Sequence, residues 1–157
     1  MKRILFLILL LLTACDSGSQ ETSTEVHDAM RLHHLALAAI DSGHADKAIE
    51  YLNRLQVLLP EEASVKANLG VAALRQNTLD DAIEYFEQAY MQAPGNHEIA
   101  ILMSQTLALQ GKFSEATDVL GRAIFLDDGN NIKLHWASAE LNRGNDYNQI
   151  LDASKIL

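Results

Sequence analysis

Apolar residues between Thr78 and Pro94 recur at helical spacing. Ala82, Ile83, Phe86, Ala89 and Tyr90 make one stripe on an otherwise polar segment, which predicts an amphipathic helix. Thr78 suits the N-cap, and Asp80 and Asp81 put negative charge in the first turn, where the helix dipole favours it. Pro94 ends the helix, because it lacks a backbone donor and disfavours helix at the residue before it.

The same pattern returns at a fixed step along the chain. The step links Ala48, Ala82 and Ala116, and it links Leu52, Phe86 and Leu120. It links Leu35, Leu69, Met103 and Ala137, and it carries Pro60 to Pro94 and then to Asp128. A turn-forming column, Gly43, Asn77, Gly111 and Asn145, runs in the same register. The pattern therefore predicts paired helices: one from Thr24 or Glu25 to Ser42, with Gly43 as a left-handed stop, and one from Ala45 to Leu59. A third opens on Pro60-Glu61-Glu62 and runs to Gln76, and the Thr78 helix follows it. Asn96 caps a helix from His97 to Gln110, and its partner runs from Ser114 to Leu126. A fourth pair covers 132–143 and 146–156. Few segments alternate like strands, so the chain reads as all-α.

The step is that of the tetratricopeptide repeat, whose period is about 34 residues. The columns resemble that family. Leu35-Ala36 and Leu69-Gly70 match its first helix; Ala82, Phe86 and Ala89, and then Ala116, Leu120 and Ala123, match its second; Pro60 and Pro94 match its closing proline. The family's early aromatic is replaced by Leu32, Lys66, Ala100 and Leu134, and the last unit has Ile150 and Ser154 where Ala and an aromatic belong. The resemblance implies a right-handed α-solenoid of about four helix-turn-helix units, at 29–62, 63–96, 97–130 and 131–157, within a domain spanning 24–157. Small residues let the two helices of a unit approach, and neighbouring units bury each other's stripes.

The leader, 1–14, stands apart from this register. Lys2 and Arg3 precede nine apolar residues, Ile4 to Leu12, a run suited to the core of a signal peptide and too short to span a bilayer. Leu12-Thr13-Ala14-Cys15 resembles the lipobox of bacterial lipoproteins, which implies cleavage before Cys15 and acylation of its thiol, with palmitate among the chains. Cys15 is the only cysteine, so it has no partner within the chain for a disulfide. Several acyl chains would anchor the protein firmly. Asp16 to Ser23 is rich in Ser, Thr, Gln and Gly and reads as a flexible tether. The expected location is the bacterial cell envelope, on the periplasmic side of either membrane.

Charge narrows the partners. The formal net charge is −9, from 12 Lys and Arg against 21 Asp and Glu; loss of Lys2 and Arg3 with the leader leaves −11. That balance disfavours nucleic acid and anionic lipid headgroups, so the expected membrane link is the acyl anchor and the expected ligand is an envelope protein or peptide. Catalytic chemistry is not legible. The six histidines, His27, His33, His34, His44, His97 and His135, make no metal-ligand spacing, and no metal or other cofactor is expected. Glu61-Glu62 and Asp80-Asp81 lie at helix starts, where the dipole explains them, and adjacent helical residues do not face each other. Asp127-Asp128-Gly129-Asn130 lacks the spacing of a calcium loop.

In the family the first helices of successive units line a concave face. The resemblance carries that face onto Met30, His33, Leu37 and Ile40; Ala67, Val71, Leu74 and Arg75; Ile101 and Gln105; and His135, Ala139 and Asn142. Asn68 and Arg75 lie near positions of the family's carboxylate clamp, but the full set is absent. Such a groove suits a peptide. Short lipoproteins of this kind are similar to accessory lipoproteins of type IV and tight-adherence pili, which implies an assembly factor for a pilus or secretion complex. An adaptor for periplasmic proteases or cell-wall hydrolases is the alternative, and an enzyme is a third class for which no residue can be nominated. The fourth unit has no polar cap, which offers a surface to a second copy.

Overall fold

The computed structural model describes residues 17–126. Six helices occupy this span, with no strand among the described residues: α1 (Ser17–Asp41), α2 (Ala45–Leu58), α3 (Ala63–Arg75), α4 (Leu79–Gln92), α5 (His97–Leu109) and α6 (Phe113–Leu126). They form three antiparallel hairpins, α1–α2, α3–α4 and α5–α6, stacked in chain order. Each odd-numbered helix touches the next odd-numbered one, α1 with α3 and α3 with α5, whereas α2 with α4 and α4 with α6 make no such contact. The stack therefore closes on the side of α1, α3 and α5 and opens on the other. The molecule is an α-solenoid with those three helices on its concave face.

The turn inside each hairpin repeats. Gly43 and Gly111 have φ of 77°, and Asn77 has φ of 62°. This left-handed residue lets the chain reverse while satisfying the last helical carbonyls. His44, Thr78 and Lys112 donate their N–H to Ala39, Ala73 and Leu107, at 2.8, 3.0 and 2.9 Å. Each bond reaches back five positions, as in the Schellman motif. The expected stops at Gly43, Asn77 and Gly111 are thus present.

Three local expectations are corrected. Thr78 occupies the N-cap position of α4, but its side chain makes no capping bond there; its Oγ1 donates to the carbonyl of Ala73 at 3.1 Å, closing α3 instead. Pro60 and Glu61 lie before α3, not within it. Glu62 is the N-cap, extended at ψ 106°, and its carboxylate accepts from Ser64 N–H at 3.4 Å. Residues 17–23 are helical and continuous with the rest of α1, where a flexible tether is expected from composition. No proline interrupts them, and adding residues to a helix already nucleated costs little. Asn96 does cap α5, with Oδ1 accepting from Glu98 N–H at 3.0 Å and Ile99 N–H at 3.3 Å.

The core forms two clusters. One joins α1 and α2 to Val65, Leu69 and Ala72 of α3. The other joins Ala73 of α3 to α4, α5 and α6 around Phe86. Within the second hairpin the closest approach is at Gly70, where an added Cβ would lie 2.6 Å from Cε1 of the fully buried Phe86 ring. Polar bonds tie adjacent units at matching places. Gln76 donates to Asp46, and one repeat further on Gln110 donates to Asp80 at 2.8 Å.

Candidate functional site: the concave face

The concave face is built from the sides of α1, α3 and α5 that face neither their hairpin partners nor the preceding unit. On α1, Met30 and Leu37 are exposed and His33 is half-buried between them. The His33 ring stacks on His34, with centroids 6.2 Å apart. On α3, Ala67, Val71 and Leu74 are half-buried, each with one side against the second core, and Arg75 is exposed. On α5, Ile101 is half-buried and Gln105 is exposed. The structure thus brings most of the anticipated residues onto one apolar surface with a few polar points.

Ile40 is the exception. It is 6% exposed and belongs to the first core cluster. It lies one helical turn after Ala36 and continues the core stripe Ala29–Leu32–Ala36, near the turn where α2 folds back. His135, Ala139 and Asn142 lie outside the described residues, as do Cys15 and the fourth unit.

Two exposed apolar residues join the face without having been expected there. Leu109 is 67% exposed and stands one repeat after Arg75, so the register alone is enough to nominate it. Val26 continues the Met30–His33–Leu37 stripe toward the N-terminus, and it falls before the first repeat as the sequence delimits it. Val26 also lines a notch of about 430 Å³ with Glu25, Met30, Val57, Leu58 and Leu59, where α1 runs past the end of α2.

Among the described residues no three His, Cys, Asp or Glu side chains cluster as metal ligands, and no helix is long and apolar enough to cross a membrane.

Residues 34–97 and 73–141 each match the tetratricopeptide repeat. A curated relative, cellulose synthase operon protein C of Pseudomonas fluorescens (strain SBW25), is 29% identical over 138 residues, 88% of this chain. The chain spans only 11% of that protein. The fold is also similar to MamA, with a TM-score of 0.68 at 17% identity, covering 87% of this chain and 80% of that one. It is similar to the Yersinia enterocolitica type III secretion chaperone SycD, solved with a peptide of the translocator YopD, with a TM-score of 0.65 at 18% identity, covering 73% of this chain and 93% of that one. The repeating columns, the stacked hairpins and these matches agree: residues 34–141 are an array of tetratricopeptide repeats, a scaffold for protein–protein interaction.

Proposed function

We propose that the chain is a lipid-anchored scaffold of the bacterial cell envelope, whose concave face holds a segment of a protein that it helps to assemble into a pilus or secretion complex. The observation that carries the binding part is the apolar row Met30, Leu37, Val71, Leu74 and Ile101, which stays at least partly open to solvent along α1, α3 and α5. Monomeric proteins rarely leave such rows uncovered unless something binds there. The SycD structure holds a translocator peptide on the same fold, which favours a protein segment as ligand. The anchor rests on Cys15 and the apolar run before it.

A crosslinked pull-down from solubilised membranes tests this reading, comparing the native chain with Leu37→Glu. Leu37 is exposed, so the variant keeps its helical circular dichroism. Loss of one pilus or secretion component from the variant supports the proposal. Loss of a protease or cell-wall hydrolase instead supports the adaptor reading. Unchanged capture by a folded Leu37→Glu rules out the concave face. In the same assay Cys15→Ser leaves the protein unprocessed or soluble, and normal membrane retention of that variant overturns the anchor.

A further inference from the structure

We infer that the end face of the first hairpin docks on the convex side of α4 in a second copy of this chain, joining the two copies end to flank.

The receiving surface lies between α1 and α2, on the side turned away from the second hairpin. Arg31 stands in the column by which Val65 and Ile99 pack on a preceding unit, and it is exposed. A hollow of about 310 Å³ opens beside it, lined by Asp28, Arg31, Leu32, Arg54, Val57 and Leu58. Val57 is 81% exposed and Leu58 37%. Charge in the hollow runs against the chain as a whole: two guanidinium groups meet one carboxylate, in a chain of net charge −9. Asp28 holds Arg31 at 3.0 Å. Arg54 forms no ion pair among the described residues, although Glu50 lies one turn before it. The hollow therefore fits an apolar side chain that carries a carboxylate one helical turn away.

α4 has that pattern. It holds Asp80, Asp81, Glu84 and Glu87 and no base, and the last three of these are exposed on the convex side. Met91, one turn after Glu87, is 74% exposed. Lys66 of α3 reaches this stripe but is half-buried and donates to Gln88 at 3.1 Å. Gln88 in turn donates to Glu84 at 3.2 Å. Glu87 makes no hydrogen bond or ion pair among the described residues. With Met91 seated against Val57 and Leu58, Glu87 comes to Arg54. Glu87 and Met91 are four residues apart, as are Arg54 and Leu58, so both pairs have the same Cβ spacing of about 6 Å. Matched spacing and opposite charge select a second copy, because one chain carries both halves. Repulsion between the acids elsewhere is screened beyond about 8 Å at physiological salt. The two halves differ, so the contact is heterologous and can repeat along a row. It leaves the concave faces of both copies open.

The test uses the full chain in its own membranes, as two differently tagged forms expressed together. One carries Leu58→Cys and the other Met91→Cys. Mild oxidation with copper phenanthroline is followed by non-reducing electrophoresis, and a form with neither substitution sets the background from Cys15. A disulfide joining the two tags is expected, with little from either form expressed alone, because the contact sets position 58 against 91 and neither against itself. Adding Arg54→Glu to the first form should lower that disulfide about tenfold, and adding Glu87→Arg to the second should restore it. All four side chains are exposed, and circular dichroism of the purified variants checks that each stays helical. A mixed disulfide no stronger than background, equal yields from either form alone, indifference to Arg54→Glu, or a loss that Glu87→Arg does not rescue overturns the inference. Each of these outcomes leaves the concave-face reading standing.

Discussion

The first and second hairpins present the same face to very different surroundings. In the second, Val65, Leu69 and Ala72 of α3 press into the core of the preceding unit, and Leu69 is 0% exposed. The third repeats this with Ile99, Met103 and Thr106 of α5, all buried. In the first hairpin the matching residues are Arg31, Leu35 and Ala38, and all three are exposed, Leu35 at 41%. Arg31 stands where Val and Ile stand later, and it pairs with Asp28 at 3.0 Å. That pair is open to water and contributes little to stability. It puts charge where α3 and α5 carry an aliphatic side chain. The comparison teaches that a repeat's burial is conferred by its neighbour: among the described residues the same column is covered in α3 and α5 and open in α1.

The sharpest way to break this comparison is to truncate the same column twice. Leu69→Ala should cost about 2–5 kcal/mol in chemical denaturation, because it empties a packed site. Leu35→Ala should stay within about 0.5 kcal/mol. Equal losses would mean that something covers the face of α1. Next in size is Gly70→Ala. Alanine favours helix by about 1 kcal/mol, but its Cβ would lie well inside contact distance of the Phe86 ring, which is fully buried and has little room to move. Overpacking of that kind costs about 1–3 kcal/mol, so a net loss of melting temperature is expected. A gain would show that α3 and α4 can separate cheaply. Smallest is Asp80→Ala, which removes the bond from Gln110 across the second junction. A loss of about 1 kcal/mol is expected from equilibrium unfolding. No change would assign the junction to apolar packing alone.

The period, the hairpins and the left-handed turns are legible in the sequence because each rests on residue type at a fixed step. Gly43 and Gly111 permit positive φ wherever they occur, and Asn77 tolerates it. The division between core and concave face is less legible. Ile40 and Leu37 lie within one turn of the same helix and are equally apolar, yet only the direction of α2 decides which is covered. Thr78 misleads for a related reason. Its hydroxyl can serve the helix after it or the helix before it, and the tight turn at Asn77 brings Ala73's carbonyl within reach. The helical start of α1 is hidden by composition, since Ser, Thr and Gln suit a tether as well as a helix extended from a stable neighbour. Register recovers most of the concave face, and Leu109 shows that a column must be followed through every unit, because the residue type changes from Arg75 while the position stays exposed.

One feature of the core bears on how the molecule comes apart. Ala72 belongs to the first cluster and Ala73 to the second, while Val71 packs against both. The helix between them is a party wall: neither room can be emptied while it stands, and both lose a side when it falls. Melting should therefore run inward, like a row of books leaning from its ends. Amide hydrogens of α3 should be the last to exchange with solvent, and the start of α1 among the first.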